Sequence, residues 1–226
     1  MQPSRARRDP RSFDSIVAVG AHLDDIELGC GGTLAAARAN GADVHMIVMS
    51  RSAYANYDGS TLRTEEQAVA EGQAAAAIIG VTSIDILDFP TKDIPYDVSS
   101  VEALNRRFDG LRPDLIITHS PHDTHQSHRA VADATISAGR HYQSILMYEP
   151  IFPSGRSYVP FRPQAYVDIT DHVDVKEDAL RAHRSQWEKY GDSWLEAVRG
   201  RSRIRGYDIG TQHAEAFEVV RLEVRV

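Results

Sequence analysis

The chain has 226 residues, a formal net charge of -7 and a sequence pI near 5.8. Its hydrophobic content of 42% suits a soluble globular protein with a sizeable core. The acidic balance argues against nucleic acid or an anionic membrane surface as partner, and no stretch reaches the roughly 20 apolar residues of a membrane helix.

The single cysteine, Cys30, rules out an intrachain disulfide and points to a reducing, cytoplasmic compartment. The first twelve residues are basic and proline-containing, with no signal-peptide-like apolar run behind them. They are expected to form a disordered arm, followed by one domain over 13–226.

Strand-like and helix-like segments then alternate. Residues 15–20 (SIVAVG) predict a first strand, and 32–40 a helix stopped by Gly41. Residues 44–50 read as the second strand. The alanine-rich 64–79, with early glutamates and a closing Gly80, reads as a helix. A third strand over 84–88, a helix over 101–111, a fourth strand over 115–119 (LIITH), a helix over 126–138 and a fifth strand over 145–148 follow. Apolar runs without strict alternation fit strands covered on both faces, so the pattern predicts an α/β fold with a mainly parallel sheet. The four prolines of 150–163 predict a long loop. Beyond it come a strand over 166–170, one helix over 174–190 and a last strand over 215–224. The Arg- and Gly-rich 200–210 is expected to be mobile.

Two polar clusters stand directly after strands. AHLDDIELGCGG follows the first and packs His22, Asp24, Asp25 and Glu27 into six residues. Histidine with carboxylate suits Zn²⁺ and related divalent ions. Of two adjacent carboxylates, one can bind metal while the other stays free as a base. Gly29, Gly31 and Gly32 would let the backbone turn sharply into a helix. A nucleotide loop is the alternative, but the G-x-G-G spacing is not the dinucleotide fingerprint and no Walker lysine is present.

The second cluster, THSPHDTHQSH, follows the fourth strand and holds four of the ten histidines: His119, His122, His125 and His128. Pro121 keeps Ser120 out of a helix, which places His119 and His122 at the strand end and in the loop. Either is equally well read as a hydrogen-bonded structural histidine. His125 and His128 fall one turn apart at the next helix start, with Asp123 as a plausible N-cap. The first cluster offers two good ligands and a catalytic zinc wants three, which makes His128 the stronger candidate. If the five strands take the order 3-2-1-4-5, strands 1 and 4 are neighbours, and both clusters meet at the crevice beyond their carboxyl ends where such sheets bind ligands.

These motifs resemble the PIG-L/LmbE-like family of metal-dependent N-deacetylases, together with Arg63 and Glu66 in LRTEEQA, the passage VDITDHVDVKEDALRAHRSQ and the C-terminal AEAFEVVR. The resemblance spans nearly the whole chain beyond the arm. It implies a Rossmann-like fold and removal of an N-acetyl group from an amino sugar or related small molecule. By motif position it makes His22, Asp25 and His128 the metal ligands, Asp24 the general base, and His125 the histidine assisting at the carbonyl oxygen or leaving group. Zn²⁺ is the expected ion, with Fe²⁺ as an alternative. Two positions depart from the family pattern. Leu23 replaces a usual proline, and Ser127 replaces an Asp placed to orient neighbouring histidines. Ser127 is the one feature favouring a non-catalytic metal-binding scaffold.

Arg63 is a candidate for binding substrate hydroxyls or phosphate, against a solvated arginine paired with Glu65 or Glu66. Asp123, Asp88 and Asp93 are candidates for the pocket wall, Asp123 as a substrate-binding residue. Trp187 and Trp194 are expected to pack. Loops 52–63, 90–99 and 150–163 should set specificity, and the last of these, with the tail, could form a homo-oligomer contact.

Overall fold

The computed structural model describes residues 13–56, 58–151 and 155–224. The expected N-terminal arm lies outside them. Five parallel strands form one side of the sheet: β1 (Ser15–Gly20), β2 (Asp43–Ser50), β5 (Ser83–Phe89), β6 (Leu115–Thr118) and β7 (Ile145–Tyr148). A short antiparallel hairpin, β3 (Tyr54–Ala55) and β4 (Thr61–Arg63), stands apart from them. Two antiparallel strands, β9 (Ala214–Arg221) and β8 (Ala165–Asp168), extend the sheet, whose order is β5-β2-β1-β6-β7-β9-β8. The five parallel strands thus take the assumed order 3-2-1-4-5. β1 pairs in parallel with β2 on one side and β6 on the other, so the winding direction reverses there and opens a crevice beyond their carboxyl ends.

Helices cover both faces: α1 (Asp25–Ala39), α2 (Glu65–Ile79), α3 (Val98–Leu111), α4 (Gln126–Ala138), α5 (Val173–Ala182), α6 (Arg184–Tyr190) and α7 (Asp192–Ile209). Val17, Ala18 and Val19 are wholly buried, and one core lies on each face. Thr64 and Gln67 form a reciprocal capping box at the start of α2. Gly80 ends that helix in the left-handed conformation.

Three expectations are corrected. α1 begins at Asp25, so Gly29, Gly31 and Gly32 lie inside it rather than in a turn. Gly29 is needed because a Cβ there would sit 2.3 Å from the ring of Tyr148. The helix survives these glycines by kinking at Cys30 (φ -148°, ψ 18°). Gly32 and Thr33 then donate their N–H groups to Glu215 of β9, at 3.1 and 2.7 Å, and buried Lys176 neutralises that carboxylate. Residues 174–190 form two helices, not one, with His183 in a non-helical conformation between them. Residues 200–209, expected to be mobile, complete α7, which packs through Leu195, Val198, Ser202 and Gly206.

Candidate metal centre and active site

The crevice between β1 and β6 brings the two clusters together. His22 Nδ1 lies 3.3 Å from His128 Nε2, although the residues are 106 positions apart. Asp25 meets both rings, one through each oxygen, with Oδ1 3.3 Å from His128 Nε2 and Oδ2 3.4 Å from His22 Nδ1. A tetrahedral ion bonded at 2.0–2.1 Å requires ligand atoms about 3.3–3.4 Å apart, which is the spacing of the two histidine nitrogens and of each of them from one Asp25 oxygen, and two imidazoles with a carboxylate suit zinc. Two overlapping groups, His22 with His125 and His128, and Asp25 with His119 and His128, also keep their donor atoms within 4.8 Å of one another.

The surroundings turn these donors inward. His22 Nε2 donates to the Thr91 carbonyl at 3.0 Å, leaving Nδ1 as the acceptor facing the centre. His128 Nδ1 donates to Asp123 Oδ2 at 3.0 Å, which points Nε2 inward. Asp25 Oδ2 accepts from the N–H groups of Ala21 and His22, at 3.1 and 2.7 Å. Burial alone would raise the Asp25 carboxyl, but the charge of His128, with His119 beside it, holds it well below the usual range. Burial works against a charged His128, yet Asp25 and Asp123 outweigh it and push that imidazole up to about 10.

Asp24 lines the cavity beside these donors. Burial, reinforced by the neighbouring Asp25 charge, raises its carboxyl to about 6, a value suited to a base working near neutrality. Its backbone is strained, with φ at 141°. For a residue other than glycine such a conformation costs roughly 1–3 kcal/mol and persists only where the surroundings enforce it. Both backbone groups of Leu23 are clamped by side chains: its N–H donates to Ser52 Oγ at 2.8 Å, and its carbonyl accepts from Arg63 Nη1 at 2.9 Å.

His125 is the N-cap of α4, where Asp123 was expected, and its Nδ1 accepts from the Ser127 N–H at 3.2 Å. That bond leaves the ring hydrogen on Nε2. Burial and the nearby His128 hold the imidazole down to about 4, so it is neutral and a donor. His119 stacks on His128 with ring centroids 4.1 Å apart and accepts from the Ala21 N–H at 3.1 Å. His122 is exposed and lies outside the cluster.

The cavity measures about 310 Å³. Ser52, Tyr54, Thr91, Lys92, Gln126 and Ile151 contribute to its walls, as the loop reading anticipated in part. Gln186, Lys189, Tyr190 and Trp194 of α6 and α7 form a further wall that the sequence did not suggest. Trp194 is thus packed and also lines the cavity, whereas Trp187 packs against the same cluster and donates its indole N–H to Asp192 at 3.2 Å. Asp123 is 3% exposed and has one oxygen on His128 and the other on the His125 N–H at 2.8 Å. It stands behind His128, not on the wall where a substrate-binding role would put it. Asp88 pairs with Arg51 at 3.2 Å and, like Asp93, is absent from the walls.

Arg63 does line the cavity, but it is 2% exposed and pairs with Glu71 at 2.9 Å rather than with Glu65 or Glu66. Glu27 faces away from the centre, with Oε1 3.1 Å from His183 Nε2. The sequence reading missed His183 and Glu71. Their signal was a histidine inside a helical pattern and one glutamate among several.

The family model for GlcNAc-PI de-N-acetylase, PIG-L, matches residues 17–139. The chain belongs to the PIG-L family. The chain is similar to diacetylchitobiose deacetylase of Thermococcus kodakarensis, at 26% identity, with 91% of this chain and 82% of that protein covered. The Escherichia coli K12 protein named uncharacterized deacetylase YaiS is 31% identical over 75% of this chain and 90% of its own length. Among solved structures, the conserved protein TT1542 of Thermus thermophilus has a TM-score of 0.79 at 25% identity, covering 95% of this chain and 97% of its own. The same fold also carries other chemistry: GalB, the 4-carboxy-2-hydroxymuconate hydratase of Pseudomonas putida, gives 0.78 at 19% identity, covering 94% and 98%. The fold alone therefore does not name the reaction; family membership makes this chain a deacetylase acting on non-peptide C–N bonds. Among the described residues, no helix is long and apolar enough to cross a membrane.

Proposed function

We propose that this protein is a zinc-dependent N-deacetylase that removes the acetyl group from an N-acetylated amino sugar or an amino-sugar-containing small molecule. The observation that carries this reading is the approach of His22 Nδ1, His128 Nε2 and the Asp25 carboxylate to within 3.3–3.4 Å of one another. These three residues would hold the ion, which when bound supplies Lewis acidity toward the amide carbonyl and toward water.

The other groups divide the remaining work. Asp24 takes the proton from the attacking water, for which its raised pKa suits it. His125 offers its Nε2–H to the amide oxygen as negative charge develops there. Because His125 is held neutral, the proton the departing amine needs comes from Asp24, which has just gained one. Arg63, buried at the cavity floor and committed to Leu23 and Glu71, contacts substrate only through its cavity-facing edge. Asp123 orients His128 instead of touching substrate. Tyr190 and Trp194 present aromatic surface suited to the apolar face of a sugar ring. A metal-loaded assay of acetate release across N-acetylated monosaccharides, disaccharides and glycosides tests the reading. Turnover of at least one member supports it, and turnover of none defeats it.

A further inference from the structure

His183 is wholly buried and takes no direct part in the chemistry described above. It sits at the break between α5 and α6 and has a partner on each ring nitrogen. Nδ1 lies 3.2 Å from Arg63 Nη2. A guanidinium can only donate, so Nδ1 accepts and the ring hydrogen is on Nε2, which donates to Glu27 Oε1 at 3.1 Å. Glu27 lies in the first turn of α1, three residues beyond Asp24. Arg63 in turn holds the carbonyl of Leu23, directly before Asp24. The contacts form a closed ring: Asp24, Glu27 along the helix, His183, Arg63, Leu23 and back to Asp24.

We propose that His183 is a positioning residue that closes this ring and so holds Asp24 in its strained conformation, aimed into the cavity. The inference rests on the reading of Asp24 as the base. Several features say that the ring is built for this rather than for packing. Leu23 is held at both its N–H and its carbonyl by side chains from other elements. Glu71 anchors the far side by pairing with Arg63 and accepting from the Ser185 N–H and hydroxyl, at 2.8 and 2.7 Å, which fixes the α5–α6 break. A hydrophobic side chain would fill the same volume with no desolvation cost. Instead the site keeps a histidine whose two nitrogens serve opposite hydrogen-bonding needs. Among the described residues Glu27 has no side-chain hydrogen-bond partner other than His183, and its Oε2 and the Arg63 Nε have none, so neither atom offers the ring a second closure.

The test compares His183→Leu, which removes both bonds, with His183→Asn, whose Oδ1 reaches the place of Nδ1 and can accept from Arg63. Metal content and Tm are measured beside kcat and KM. The proposal expects His183→Leu to bind its full complement of metal, keep KM within about twofold and lose about tenfold to a hundredfold in kcat, the scale of a small misplacement of a reacting group. His183→Asn should recover most of that kcat. If the leucine variant does not fold, His183→Gln replaces it: its longer amide serves Glu27 but not Arg63, and its kcat should fall well below that of His183→Asn. Equal kcat in the two variants compared, with Tm alone changing, would reduce His183 to a structural role and overturn the proposal. A wild-type enzyme that turns over no N-acetylated substrate would instead remove the reading on which it rests.

Discussion

Asp123 Oδ2 stands 3.0 Å from His128 Nδ1 and is almost wholly shielded from solvent. The residue directly before His128, where the family often has an Asp, is Ser127. Its hydroxyl donates to the Thr91 carbonyl at 3.3 Å, and that same carbonyl holds His22. Orientation of the third candidate ligand is thus supplied from the preceding loop, and the feature that favoured an inactive scaffold loses its force. Removing the carboxylate in Asp123→Ala should leave the protein folded and weaken metal binding about 10–100-fold. Competition against a chromophoric chelator measures this; unchanged affinity would show that Asp123 does not orient His128.

Metal binding should release protons. His128 is pushed up to about 10 in the metal-free chain, so at neutral pH an incoming ion must displace its Nε2 proton. Calorimetry in buffers of different ionisation enthalpy at pH 7 should report about one proton released per ion, and apparent affinity should rise with pH. The same group contributes to the stability of the metal-free chain. Because its folded pKa lies above the usual 6.5, that contribution is fully present below about pH 6.5 and is lost as pH rises through about 10. The Tm of metal-free protein should therefore fall across that window.

Asp24→Asn should retain metal and lose about a hundredfold to ten-thousandfold in kcat. In the wild type, kcat/KM should decline on the acid side as Asp24 gains its proton. The midpoint should lie at or below about pH 6, since a neighbouring cation favours the carboxylate. A wild-type rate in the asparagine variant would remove Asp24 from the mechanism.

The five parallel strands could be read because their apolar runs are local features; their order was an assumption, which the sheet bears out and which brings the two clusters together. What could not be read depends on distant partners. The glycines after Asp25 looked like a turn, yet α1 runs through them because Glu215, far along the chain, accepts the N–H groups that the kink at Cys30 frees. The stretch ending at Gly210 looked mobile from composition, but Gly206 lets the backbone of Gln212 and His213 approach where a Cβ would lie 2.7 Å away. His183 was hidden inside what looked like one helix, and its significance rests on Glu27 and Arg63, neither near it in sequence. In the site, residue chemistry marked the two clusters and the family resemblance singled out His22, Asp24, Asp25, His125 and His128 within them, whereas the task of Asp123 and the wall built by Tyr190 and Trp194 required the fold.

The Glu215 link makes its own prediction. Glu215→Ala would strand the buried Lys176 ammonium and leave the N–H groups of Gly32 and Thr33 without their acceptor. Breaking such a buried pair costs about 3–5 kcal/mol. Denaturant unfolding should show a loss of that size, and a variant as stable as wild type would mean that the kink has another support.

The central claim is that the ion held by His22, Asp25 and His128 makes this chain an N-deacetylase for amino sugars. It is tested most directly by measuring acetate and free amine together from a panel of N-acetylated sugars. The enzyme is assayed as purified, stripped of metal, and reloaded with zinc. The account predicts equal amounts of the two products from at least one substrate, loss of both on stripping, and recovery on reloading. Undiminished release from metal-free protein, or one bound ion per chain with no release from any sugar, would contradict it.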